Sequence, residues 1–227
     1  MDKNLEKVRK AYDLTVEQFR NGTDPFANIP DEIRSSPFFK SLQSESGSLN
    51  SSAADVKEYL APSRGMNFLD AGCSANLVNY RLDRWLSDYY GVDISPALVT
   101  AMRRFVEREK LAIGGLEVAE ISNLPFTDNF FDIASVIGVL EYCSLEYIKK
   151  AVKELNRVLK PGAKAVIDIP NPDHPHVANM QRLEEFLQRP IYIHLRVDFE
   201  AVLAPHFSIE RIDDSRVMIK YFLQAVK

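Results

Sequence analysis

The stretch Asn67-Phe68-Leu69-Asp70-Ala71-Gly72-Cys73-Ser74-Ala75-Asn76-Leu77 decides the fold. With Met66 before it, the run to Asp70 is apolar and closed by an acid, the pattern of a buried strand. A turn of small residues follows, and from Leu77 the apolar spacing becomes helical. Strand, small-residue turn and helix place a ligand at the carboxyl end of a parallel strand, where the free N–H groups of the helix point outward. A nucleotide loop usually carries several glycines at this point, and here only Gly72 is kept.

Working outward, strand-like and helix-like segments alternate. Tyr89–Asp93, Leu116–Ala119, Phe131–Ile137 and Ala163–Ile169 read as strands, the last two apolar almost throughout, as central strands covered on both faces are. Between them, helices are expected over Leu77–Leu86 with Trp85 on the inner face, from Ser95-Pro96 to about Lys110, over Leu145–Leu159, and over Val177–Gln188. The segments Phe207–Asp213 and Arg216–Ala225 flank Asp214-Ser215 and read as a hairpin. The expected fold is α/β: a Rossmann-like, doubly wound, mixed sheet of about seven strands with its last strand antiparallel and helices on both faces.

Upstream, Leu5, Val8, Tyr12, Val16 and Phe19 recur at helical spacing, and Asn21-Gly22 ends that helix. Residues 23–52 are irregular and rich in proline and serine, with Phe26, Phe38 and Phe39 favouring packing over disorder. Ser52-Ala53-Ala54-Asp55 resembles a capping box before a helix that buries Val56 and Leu60. The expected organisation is an N-terminal helix and lid segment, 1–52, on a domain spanning 53–227, the whole forming one structural unit.

Composition narrows the function. With 46% hydrophobic and 26% charged residues the chain is a soluble globular type, and a net charge of −4 argues against general binding to nucleic acid or anionic membranes. Two cysteines build no disulfide framework, and four histidines with no Cys/His pair at ligand spacing make no structural metal site. The charged start, Met1–Lys7, is not a secretory leader, and Ile133–Leu140 is too short to span a bilayer, so a cytoplasmic location is expected.

Three acids fall at or near successive strand ends: Asp70, Asp93 and Glu120. Asp93 follows Asp70 by 23 positions, which suits a carboxylate that accepts from two ribose hydroxyls. Capping of the next helix is the alternative use of each acid. After the fifth strand, Asn171-Pro172-Asp173-His174-Pro175-His176 offers His174 and His176 as candidate bases, or a polar, proline-stiffened loop.

Together these motifs resemble the class I S-adenosylmethionine-dependent methyltransferases. Leu69-Asp70-Ala71-Gly72-Cys73 is similar to their first motif and Gly91-Val92-Asp93-Ile94-Ser95 to their second. Glu120 through Phe131-Asp132, with Leu124-Pro125-Phe126 between, and Leu155–Gly162 are similar to the segments around their third to fifth strands. The resemblance implies S-adenosylmethionine as cofactor, with S-adenosylhomocysteine as product, and a small organic acceptor. It implies that Asp70 and the Gly72 backbone lie by the methionine moiety, Asp93 holds the ribose, and Ile94 packs on adenine. Glu120 and Ile121 would address the adenine ring, while Ile137, Gly138 and Tyr142 would line the methionine and methyl side. An early tyrosine, here Tyr12, would contact the cofactor from a helical lid.

Ser74 and Asn76 stand where that family has glycine, and Ser74 would add a hydroxyl near the carboxylate end. Two other functions stay open. A nicotinamide-dependent oxidoreductase would need the Gly-x-Gly-x-x-Gly fingerprint that is missing, and a binding protein of the same fold would explain the two departures.

Overall fold

The computed structural model describes residues 3–40 and 54–227. Its centre is a seven-stranded sheet: β1 (Asn67–Ala71), β2 (Asp88–Asp93), β3 (Gly115–Val118), β4 (Phe131–Val136), β5 (Leu159–Pro170), β6 (Phe207–Asp213) and β7 (Met218–Ala225). The strand order is β3-β2-β1-β4-β5-β7-β6. The first five strands are parallel, and β7 inserts antiparallel between β5 and β6. The order reverses on either side of β1, so the crevice at a switch point opens beyond its end, at Gly72.

The helices are α1 (Lys3–Arg20), α2 (Asp31–Arg34), α3 (Ala54–Leu60), α4 (Asn76–Asn79), α5 (Pro96–Glu109), α6 (Leu145–Val158), α7 (Val177–Phe186) and α8 (Arg196–Leu203). Period-two alternation along the strands feeds two cores. Leu69, Ala134 and Ile167 face α1, α6 and α8, while Phe68, Ile133 and Val166 face α3 and α5. α5 starts as its sequence demands: the Ser95 side chain caps Leu98 N–H at 3.1 Å and Pro96 occupies the first turn.

Several expectations are corrected. The helix expected over Leu77–Leu86 lasts one turn, because Arg81 takes a left-handed conformation (φ 49°) and ion-pairs to Asp83 at 2.8 Å, leading into a 3₁₀ turn at Leu82–Arg84. Trp85 is therefore buried from extended backbone, stacked on Phe68 at 5.0 Å. β5 begins at Leu159, directly after α6, because Leu159 pairs with Phe131 and an irregularity carried by Gly162 (φ 74°) restores register further along. The helix from Val177 ends at Phe186, and α8 falls in a stretch where no helix is expected. On α1, Leu5, Val8 and Val16 are buried but Phe19 is exposed.

Within the irregular segment, Phe38 and Phe39 pack with Ile29, Met180 and Leu183, whereas Phe26 stays exposed. The serine run 41–52 lies outside the described residues, and with it the start of the capping box at Ser52. Among the described residues, no helix is long and apolar enough to cross a membrane.

Candidate active site

Beyond the carboxyl ends of β1, β2 and β4 lie two connected hollows. The narrower has apolar walls including Leu5, Val8, Ile94, Leu98 and Ile121, with Asp93 as its carboxylate. The wider cleft reaches Asp168, His174, His176 and Lys220. The two share Tyr12, Gly72, Ser74 and Gly138, so these residues form the passage between them.

The turn after β1 is held by its neighbour strand. The N–H groups of Gly72 and Cys73 both donate to Val92 O, at 2.7 and 2.9 Å. Gly72 sits at φ 80°, and a Cβ there would lie 2.2 Å from Val139 Cγ2, so both backbone conformation and packing require glycine. Of the two positions that depart from the glycine pattern, only Ser74 adopts a left-handed conformation (φ 39°). Asn76 instead begins α4, and its amide donates to Asp70 Oδ1 at 3.4 Å. Cys73 is buried, and burial pushes its thiol pKa up, as suits a packing residue.

Asp93 is 8% exposed, and each of its oxygens already accepts one backbone N–H. Oδ1 takes Ser95 N–H at 2.8 Å and Oδ2 takes Ser74 N–H at 2.9 Å. An ionised carboxylate has about four acceptor positions. Each oxygen thus keeps capacity toward the hollow it lines, which suits a vicinal diol. Burial raises its pKa, and the Ser95 and Ser74 N–H groups oppose that rise.

Asp70 is occupied differently. Tyr89 O–H donates to Oδ2 at 2.9 Å, and Ser135 O–H donates to Oδ1 at 3.1 Å. Burial pushes its pKa up to about 6 against these hydrogen bonds. Asp70 lines the wide cleft while locking β1, β2 and β4 together at their ends.

Helix α1 roofs the narrow hollow. Asp13 on α1 accepts from Ser95 O–H at 2.5 Å and lies over the start of α5, where a negative charge complements the helix dipole. Tyr12 O–H lies 3.1 Å from Tyr142 O–H, which donates to Glu184 Oε2 at 3.0 Å. Arg189 pairs with Glu184 at 2.9 Å and stacks its guanidinium 4.7 Å from the Tyr12 ring centre. Burial pushes the Tyr12 pKa up to about 12, so the phenol remains a hydrogen-bond donor at neutral pH.

Of the residues expected from sequence, Tyr12, Gly72, Ser74, Asp93, Ile94, Ile121 and Tyr142 line the narrow hollow. Ile137 lines only the wide cleft, with Asp70, His174 and His176. Glu120 lines neither; it is half-buried, with Ser122 O–H 3.5 Å from its Oε2. His174 spends Nδ1 on the His176 N–H at 3.2 Å, and burial and the nearby His176 lower its pKa.

Charges that sequence reasoning passed over also gather here, Glu141, Asp168 and Lys220 buried and Glu184 and Arg189 partly buried. Asp168 and Lys220 carry a sequence signal, a lone charge inside an otherwise apolar strand, as in Val166-Ile167-Asp168-Ile169. Asp168 Oδ1 accepts the Gly138 N–H at 2.8 Å, and Lys220 stands directly opposite Asp168 on β7. Among the described residues, no cluster of three or more acidic, histidine or cysteine side chains is arranged to hold a metal ion.

Residues 69–167 match the family described as "Methyltransferase domain". The chain is 34% identical over 132 residues to 2-phytyl-1,4-naphtoquinone methyltransferase of Nostoc punctiforme, covering 56% of each chain. It is 28% identical over 166 residues to sterol 4-C-methyltransferase strm-1 of Caenorhabditis elegans, covering 67% of this chain and 47% of that protein. The chain thus spans about half the length of these curated relatives. A solved S-adenosylmethionine-dependent methyltransferase from Methanosarcina mazei shares the fold at a TM-score of 0.60 and 18% identity, over 76% of this chain and 96% of that one. Residues 69–167 are thus similar to a methyltransferase domain, and the chain shares the fold of a solved S-adenosylmethionine-dependent methyltransferase, with the strand order that inserts an antiparallel β7 between β5 and β6.

Proposed function

We propose that this chain transfers a methyl group from S-adenosylmethionine to a small organic acceptor. The observation that carries the proposal is the pair of hollows meeting at Tyr12, Gly72, Ser74 and Gly138: one is narrow, apolar and equipped with Asp93, and the other is wide. The narrow hollow suits an adenosine. Its apolar walls would take the base, with Ile94 and Ile121 on the ring, and Asp93 would hold the ribose hydroxyls. Gly72, Ser74 and Gly138 would flank the methionine portion, and Tyr12 and Tyr142 would close it from the α1 side.

When bound, the cofactor supplies a methyl group already activated on a positively charged sulfur. The protein's own work is then to hold the acceptor in line and keep water out. α1 excludes water by laying Leu5, Val8 and Tyr12 over the hollow. The wide cleft would admit the acceptor past Phe38, Trp85 and Met218. Relatives named for a naphthoquinone and a sterol act on apolar molecules by those names, which supports an apolar acceptor body here. Glu120 would reach adenine only from the rim, so the main-chain N–H of Ile121 is the better adenine contact. His174 and His176 stand in the acceptor cleft as candidate proton carriers.

Calorimetric titration tests this function. S-adenosylhomocysteine is expected to bind and NAD is not. Asp93→Ala should weaken S-adenosylhomocysteine binding by ~100-fold or more, because two charge-assisted hydrogen bonds contribute about 1.5–3 kcal/mol each. Equal binding by Asp93→Ala and the unaltered protein would remove the ribose assignment, and no binding of S-adenosylhomocysteine at all would remove the function.

A further inference from the structure

We propose that Asp168 receives the proton of the methyl acceptor, and that this acceptor carries an acidic hydroxyl on an apolar, aromatic body. The proposal rests on the wide cleft being the acceptor side of a methyltransferase site. Asp168 lies near the carboxyl end of β5, with Ile167 and Ile169 turned into the core on the other sheet face. Its side chain therefore shares a face with Val166 and Phe222 and lines the cleft. Oδ1 is fixed by the Gly138 N–H at 2.8 Å, and Gly138 also belongs to the passage between the two hollows. Among the described residues, Oδ2 has no hydrogen-bond partner.

The surroundings fit an ionisable hydroxyl. Lys220, 9% exposed, stands directly across from Asp168 and is tied to Asp55 at 2.6 Å, so a fixed positive charge faces the carboxylate. Burial pushes the Asp168 pKa up to about 7, with the Gly138 N–H and Lys220 holding it down. A carboxylate of that basicity matches proton removal near neutral pH. The other titratable groups nearby are Glu141 on the turn after β4 and, around the cleft, Tyr12, Asp70, Tyr80, His174, His176 and Arg216. His174 has one ring nitrogen committed to the His176 N–H, which leaves Asp168 as the better-placed acceptor. Apolar walls that include Phe38, Phe68, Trp85 and Met218 suit an aromatic body.

In the step, the hydroxyl oxygen forms its new bond to the methyl carbon, and the pair of the broken carbon–sulfur bond stays on sulfur. The O–H pair remains on oxygen, and the proton moves to Asp168 Oδ2. Once Asp168 passes that proton to solvent, the methylated product has no O–H to donate to the carboxylate, which favours release.

That difference can be read without turnover, by calorimetric titration with 2-naphthol and with 2-methoxynaphthalene across pH 5.5–8.5. The unaltered protein should prefer the naphthol by about tenfold at high pH, equivalent to ~1.4 kcal/mol, with the preference fading as pH falls through the range where Asp168 is protonated. Asp168→Asn should reduce the preference below about threefold. Lys220→Gln, which leaves Asp168 in place, should move the onset of the preference to higher pH. The proposal is overturned if the unaltered protein shows no preference, if Asp168→Asn keeps it, if Lys220→Gln leaves its pH dependence unmoved, or if it disappears in His174→Gln/His176→Gln instead. Binding of S-adenosylhomocysteine is measured separately, so failure of the cofactor site and failure of this assignment are told apart.

Discussion

Substituting Gly72 by alanine puts two independent strains on one atom. The backbone at φ 80° is one an L side chain rarely adopts, and left-handed placement costs about 1–2 kcal/mol. The added Cβ would also lie 2.2 Å from Val139 Cγ2 and 3.2 Å from Val139 Cβ. Val139 is β-branched and stiff at χ1, so it yields only by an off-rotamer turn or a backbone shift, typically about 1–3 kcal/mol. The expected loss is therefore roughly 2–5 kcal/mol, a large part of an ordinary domain's stability. Urea unfolding of four proteins measures it: the parent, Gly72→Ala, Val139→Ala and the double variant. The double variant should be more stable than the two single losses predict, by about 1–3 kcal/mol, because the clash disappears while the backbone strain stays. S-adenosylhomocysteine affinity should recover in parallel, since both residues line the narrow hollow. A Gly72→Ala protein within about 0.5 kcal/mol of the parent, or strictly additive losses, would refute this account of the turn.

Asp70 makes stability depend on pH. Its pKa is raised to about 6, so the folded protein keeps a proton there that the unfolded chain releases near 3.8. Folding stability from this group is full below the unfolded value and falls by roughly 3 kcal/mol as pH rises to neutrality. In Asp70→Asn, urea unfolding between pH 4 and 6 should lose a slope of about 1.4 kcal/mol per pH unit; an unchanged slope would contradict the burial argument. Arg189→Met strips from Glu184 the cation that pairs with it at 2.9 Å, each side chain being 12% exposed, and should lower stability by about 3–5 kcal/mol, with Glu184→Gln in the same chain restoring part of it in thermal denaturation. Tyr12→Phe removes the hydroxyl contact to Tyr142 and should speed S-adenosylhomocysteine release severalfold in stopped-flow measurements while leaving the fold intact. An unchanged release rate would mean that α1 does not gate the hollow through this contact.

The legible part of the site was the part that the chain brings together locally. Gly72 belongs to one turn, Asp93 and Ile94 to the next, and Ile121 to the loop after β3, so residues that the family resemblance named on successive strand-end loops meet at the narrow hollow. Ser74 shows what a motif can conceal: it takes a conformation that favours glycine, while Asn76 does not and holds Asp70 instead. The helix over Leu77–Leu86 was misjudged because apolar spacing says nothing of the Arg81–Asp83 pair that bends the chain out of it. α8 escaped notice because its buried positions, Phe199, Val202 and Leu203, span little more than one turn.

By itself, the sequence determined the α/β class, the strand sequence, the terminal hairpin and the turn that carries Gly72, because each follows from periodicity and local backbone chemistry acting over a few residues. Tertiary structure decided what faces what. The Asp168–Lys220 opposition depends on β7 inserting beside β5, residues 52 positions apart meeting only through that register. The Tyr12–Tyr142–Glu184–Arg189 contacts join three separated segments, and burial, which sets their proton affinities, exists only once those segments close over one another. Gly72 stands at the meeting of both: its turn is written locally, but Val139, which makes the glycine obligatory for packing, arrives from the far end of β4.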